Sequence, residues 1–145
     1  MSGAGVNLAS AGATLAVAAE ALVGRPFRLH GRDPETGLDC VGVVVAAMAA
    51  TGRMAAFPTG YALKRRAVDG LEGIAAKLGY REASGSVRRD DVVMYRVGAC
   101  QFHFGIATGS AEVVHAHAGL RRVVCGAVPA DWLLCGQWRL DQPAT

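Results

Sequence analysis

The order of patterns along the chain predicts an α+β domain, with helices first and an antiparallel run of strands after them. Three observations carry this. Before Gly79 the apolar residues recur at helical spacing or form a long Val/Ala segment; after it they fall into short β-branched and aromatic runs divided by turn residues. The third is composition. A chain of 145 residues that is 52% hydrophobic and 19% charged can bury one core but hardly two, so residues 1–145 read as a single domain. The small, polar residues 1–10 and the tail 141–145 are expected to be flexible.

The first helix is read over Ala11 to Val23, from Leu15, Ala18, Ala19 and Leu22, with Gly24 as its stop. Arg25 to Gly37, "RPFRLHGRDPETG", carries Pro, Gly and Asp punctuation and reads as a loop. Asp39 is a good N-cap for a helix from Cys40 to about Thr51 that closes at Gly52. That segment is apolar all round, so the helix should be buried. Its Val43–Val45 run argues weakly for a strand, but length and the Ala-rich second half favour a helix. Tyr61 to Gly79 supplies one or two surface helices with Ile74 and Leu78 among their core contacts.

The strands are read as Asp91–Val97, Gln101–Thr108, Glu112–Ala118 and Arg121–Val128, with "QWRL" near the end as a fifth. Turns at Gly98, Gly109-Ser110 and Gly119 make them an antiparallel meander.

Charge and cysteine content exclude several function classes. The net charge of +3 is spread over Lys64–Arg66, Arg88-Arg89 and Arg121-Arg122, separate clusters that read as solvated surface. No aromatic or groove-reading element accompanies them, so a nucleic-acid partner is not indicated; attraction to a polyanionic wall polymer stays open. No run approaches the roughly 18 to 20 apolar residues of a membrane span. Before Arg25 there is no Lys or Arg, and Glu20 interrupts the apolar run, so the N-terminal segment is read as mature protein rather than a secretory signal. Such a chain acts where it is made or is carried elsewhere. Cys40, Cys100, Cys125 and Cys135 form no paired zinc-binding spacing, and free thiols are expected, with a Cys125–Cys135 bridge the pairing left open.

The chemistry centres on "GLDCVGVV". A cysteine in the first turn of a helix meets the positive end of the macrodipole and unpaired backbone N–H groups, which favour thiolate over thiol. Gly42 permits a close approach of backbone or substrate. The bland alternative is a packed cysteine on a capped core helix. A nucleophile needs a base. In "QFHFGIA" the period of two puts His103, Gly105 and Ala107 on one face, leaving room for something bulky such as a helix to press there. In "EVVHAHA" it groups Val113, His115 and His117. Joined through the turn at Gly109-Ser110, the two strands bring His103 and His115 together as a base with an orienting partner. His117 and His30 find no evident role. A metal site using "HAH" and Cys100 competes, but Cys100 and His103 fall on opposite faces of a regular strand and no carboxylate ligand stands out.

These residues resemble the NlpC-type cell-wall peptidases, small papain-like cysteine endopeptidases. "GLDCVGVV" is similar to the nucleophile motif, "HFGIATG" to the strand bearing the base, and "VVHAHAG", with His115 twelve residues after His103, to the strand with the orienting residue. "GRPFRLHG" resembles the entry loop and "DDVVMY" the first strand, so the likeness runs from about residue 12 to 140. The resemblance implies a papain-like fold, its nucleophile helix packed on an antiparallel sheet of five to six strands. It also implies Cys40 as nucleophile, His103 as base and His115 as its orienting partner, with the Cys40 backbone N–H as oxyanion donor. The implied substrate is a peptidoglycan stem peptide, cut between D-glutamate and a diamino acid, with no metal or organic cofactor. The short chain looks most like the tail-associated branch of phages and gene-transfer particles. That implies tail-tip or baseplate partners and a virion that delivers the enzyme to the wall. Two positions depart from the pattern: Phe27 is the nearest aromatic where the entry loop commonly has a Tyr, and Asp90 stands where a Gly usually precedes the first strand. A docking subunit of a tail tip, with the same fold and little activity, is the alternative expectation.

Overall fold

The structure is a computed structural model that describes residues 14–53, 73–98 and 101–140. The expectations for residues 1–10, for most of the segment from Tyr61 to Gly79, for Cys100 and for the tail 141–145 lie outside the described residues.

Helix α1, Leu15–Glu20, is shorter than its apolar spacing predicts. Thr14 caps it by accepting from Val17 N–H, and Leu15, Ala16, Ala18 and Ala19 are buried. The loop before the sheet is fastened to this helix. Asp90, held at φ 80, accepts the Ala16 N–H at 2.8 Å, and Arg89 makes two hydrogen bonds to Glu20. The residue that replaces the customary Gly therefore uses its carboxylate to tie down a helix N-terminus. The segment expected to be a loop folds in part into a short hairpin of two-residue strands, β1 Arg32–Asp33 with β2 Gly37–Leu38. Gly37 takes φ 139, which a side chain would strain.

Helix α2, Cys40–Ala50, follows immediately. Asp39 is its N-cap as the sequence predicts, accepting the Gly42 N–H at 2.7 Å, and Gly52 beyond its end has φ 91. Its buried residues, from Cys40 through Met48, enter the main core. Residues 73–77 are helical, and Ala75 and Leu78 pack against that core.

The remaining elements are β3 Tyr80–Glu82, β4 Val92–Gly98, β5 Gln101–Ala107, β6 Val113–His117, β7 Arg122–Gly126 and β8 Leu133–Leu140. They form one antiparallel sheet of six strands in the order β3-β8-β4-β5-β6-β7. The meander β4 to β7 matches the sequence pattern. The pattern does not show that β8 crosses back to pair with β4, nor that the three-residue β3 forms the far edge. Asp91, fully buried at the start of β4, holds that return in place: Arg139 of β8 donates to both of its carboxylate oxygens at 2.7 Å.

Side chains on the two sheet faces separate cleanly. Phe102, Phe104, Ile106, Val92, Met94, Val114, Ala116 and Val123 pack with α1 and α2. Val93, Tyr95, Ala107 and Val113 lie on the other face beneath Val87, Val97, Val128 and Trp132. This corrects one sequence expectation. The helix presses on the large residues of β5, and the small-residue face carrying His103 is covered by the loops that hold Val87, Val128 and Trp132. Among the described residues, Cys40 and Cys125 are free thiols, and no helix is long and apolar enough to cross a membrane.

Candidate active site

The cap of α2 positions the candidate nucleophile. Besides the Gly42 N–H, the Asp39 carboxylate accepts the His30 N–H at 3.0 Å, and the Asp39 N–H donates to the Gly31 carbonyl. The entry loop and the first helical turn are thus locked together. Gly42 is required by that contact: a Cβ there would collide with the Gly31 carbonyl oxygen. The loop approaches as backbone, so the glycine serves the fold of the nucleophile turn itself.

Strands β5 and β6 pair only at Ile106–Val114 and Ala107–Val113, although β6 goes on pairing with β7 as far as His117. Beyond Gly105 the two strands part. A Cβ on Gly105 would collide with the Val113 side chain, so this glycine lets β6 approach just before the ladder opens. The Cys40 sulfur lies at that opening, where the backbone N–H of Phe104 faces it together with those of Val41 and Cys40. The neighbouring residue on β5 is His103. Its Nε2 is 3.1 Å from Nδ1 of His115, and the two rings meet edge to face with centroids 5.1 Å apart. The sequence reading expected this pair of imidazoles together, and they are.

Electrostatics departs from that reading. The helix start was expected to hold the thiol ionised, but burial pushes Cys40 up to about 12. The three backbone N–H groups favour thiolate and the Asp39 carboxylate opposes it, and loss of hydration outweighs them all. Burial likewise brings His103 down to about 4, with the positive charge that His115 and His117 can carry adding to the shift. His115 is lowered as well, chiefly by burial. At neutral pH the site therefore holds a neutral thiol and neutral imidazoles. His117 is beside the pair, its ring 6.0 Å from that of His115. Its Nδ1 accepts the Leu120 N–H at 3.0 Å, which puts the proton of its neutral form on Nε2.

Sequence reasoning missed Trp132. It lies in the loop before β8, and its ring centroid is 5.0 Å from His103, 5.7 Å from His115 and 6.0 Å from Tyr95. Tyr95, directly opposite His103 in the β4–β5 register, was also missed. No periodicity links a loop tryptophan to a strand 29 residues earlier. Phe27, in the entry loop, packs against the main core beside Leu38.

With its six-stranded antiparallel sheet and few helices, the chain has the papain-like α+β fold of the NlpC/p60 type. It is similar to the NlpC/p60 domain of the peptidoglycan hydrolase SagA, with a TM-score of 0.63 and 22% identity over 89% of this chain and 98% of that one. It is also similar to the peptidoglycan hydrolase RipB of Mycobacterium tuberculosis, with a TM-score of 0.63 and 18% identity over 97% of this chain and 68% of that one. A P60 domain of an antigen from M. avium subspecies paratuberculosis aligns with a TM-score of 0.60 and 17% identity, over 88% and 92% of the two chains. No protein-family model matches the chain, and no curated protein matches it in sequence.

Proposed function

We propose that this protein is a cysteine endopeptidase that hydrolyses an amide bond in peptidoglycan stem peptides, with Cys40 as nucleophile, His103 as base and His115 as the residue that orients it. The single observation that carries the reading is the 3.1 Å contact between His103 Nε2 and His115 Nδ1, on the strand whose next residue, Phe104, turns its backbone N–H to the Cys40 sulfur at the first turn of a capped helix. Peptidoglycan as substrate is supported by the fold neighbours described as peptidoglycan hydrolases. A bond between D-glutamate and a diamino acid, and delivery by a phage-like tail particle to the wall, belong to the same proposal on the strength of the motif resemblance.

The proposed roles require one arrangement of protons. With its proton on Nε2, His103 donates to Nδ1 of His115 and keeps the Nδ1 lone pair for the thiol proton; His115 then carries its own proton on Nε2. The lowered pKa of His115 keeps it a neutral acceptor. Because the resting pair is neutral, the thiol proton passes to His103 as sulfur bonds to the carbonyl carbon, not before. The resulting oxyanion is stabilised by the Cys40 backbone N–H at the helix start. Collapse expels the amine, which takes the proton from His103, and leaves a thioester. Water then attacks with His103 again as base.

The docking-subunit reading draws on two observations: the buried, un-ionised thiol and the hydroxyl-free Phe27 in the entry loop. One assay separates them. Muropeptides incubated with wild-type protein and with Cys40→Ala are compared by mass spectrometry. Wild-type cleavage lost in a folded Cys40→Ala variant is the expected result; cleavage retained by that variant refutes the assignment, and no cleavage by either favours the docking role.

A further inference from the structure

The loop between β7 and β8 supplies an aromatic ring to the histidine pair that neither the motifs nor the proton transfers call for. Trp132 is half-buried, and its position is set by the turn in which its N–H donates to the Pro129 carbonyl. The ring meets His103 at an interplanar angle of 66° and His115 at 69°, and it leans on Tyr95 at 50°. One ring therefore touches both members of the pair and the residue opposite His103 on β4. On the remaining side His103 is joined to His115 through Nε2.

We propose that Trp132 is a positioning residue that clamps the His103–His115 pair from the loop side, holding the His103 ring in the orientation that bonds His115 and keeping water off the bond between the two imidazoles. An imidazole on a single Cβ–Cγ axis is free to swing unless neighbouring groups restrict it, and terminal torsions of this kind have broad wells. One hydrogen bond at Nε2 leaves that rotation only partly restrained. A large ring packed edge-on removes the alternatives, and indole contacts of this kind carry specific geometry as well as area. Excluding water from the Nε2···Nδ1 contact also strengthens it. The titratable groups around His103 are Tyr95 from β4, and His115 and His117 from β6.

The inference rests on the proposed catalytic roles for its activity arm and stands apart from them for its titration arm. Trp132→Leu keeps apolar bulk, Trp132→Ala removes it, and Trp132→Phe restores a ring. In wild type and variants the His103 imidazole is titrated by NMR with carbon-labelled histidine. Muropeptide turnover is measured in parallel for kcat and KM. In Leu and Ala variants the His103 pKa should rise toward its ordinary value as water gains access. The kcat should fall on the order of tenfold or more, as for a misoriented catalytic group, with KM little changed. The Phe variant should recover most of both. If Trp132→Ala does not fold, Trp132→Leu carries the test. A folded Leu variant whose His103 titrates as in wild type overturns the proposal, as does one with kcat within twofold of an active wild type. If the wild type itself cleaves nothing, the catalytic reading fails while the titration still decides whether Trp132 holds the pair.

Discussion

Alkylation of the three described thiols by iodoacetamide, followed as a function of pH, tests the balance of forces at Cys40. Burial pushes this thiol up to about 12, whereas an ordinary free thiol ionises near 8.5. At pH 7.5 the difference of roughly 3.5 units leaves Cys40 with ~3,000-fold less thiolate than a free cysteine. A more basic thiolate is more nucleophilic, with a Brønsted slope of about 0.4–0.5, which restores a factor of roughly 30 to 50. Alkylation of Cys40 at pH 7.5 should therefore be on the order of 100-fold slower than that of a free cysteine, and slower still if the reagent is hindered. Its rate should climb tenfold per pH unit through pH 10. Peptide mass spectrometry of a quenched time course reads all three sites together. A Cys40 rate that levels off near neutral pH would refute the reasoning. It would mean that a resting thiolate–imidazolium pair survives the loss of hydration.

Two other predictions concern stability. His103 is held neutral at about 4 in the folded protein against 6.5 when free, so the unfolded chain binds more protons between those values and stability falls as pH drops through that window. The shift corresponds to about 3 kcal/mol, fully present above pH 6.5 and lost by pH 4. Urea unfolding of wild type and His103→Gln should diverge across that range; parallel curves would show that the imidazole is not desolvated. Gly42→Ala should cost ~2 kcal/mol by denaturant midpoint despite the better helix propensity of alanine, because the new Cβ meets the Gly31 backbone rather than a movable side chain. An unchanged midpoint would mean that the entry loop is not locked to the helix.

Much of this architecture was legible locally. Asp39 before an apolar run predicted a capped helix, and the cap is made to Gly42. The alternation around His103 and His115, with a tight turn between, predicted adjacent imidazoles, and they meet at 3.1 Å. These signals are readable because capping acts within a turn and strand alternation has a fixed period of two. Other features left no such trace. The three residues of β3 are too few to show a period, and the pairing of β8 with β4 closes across the length of the meander. Asp90 reads as a departure from a motif, yet its carboxylate caps a helix 74 residues away.

Local patterns settle the elements of this protein and the order of its candidate site residues: a cysteine at a helix start, then two histidines on successive strands. Tertiary structure alone decided which sheet face receives the helix, that β5 and β6 part where the sulfur enters, that a loop tryptophan covers the histidines, and that the thiol rests protonated. The physical reason is range. Caps and periodicity are set by neighbouring residues, whereas the hydration lost by a sulfur or an imidazole depends on everything packed around it, brought there from distant parts of the chain.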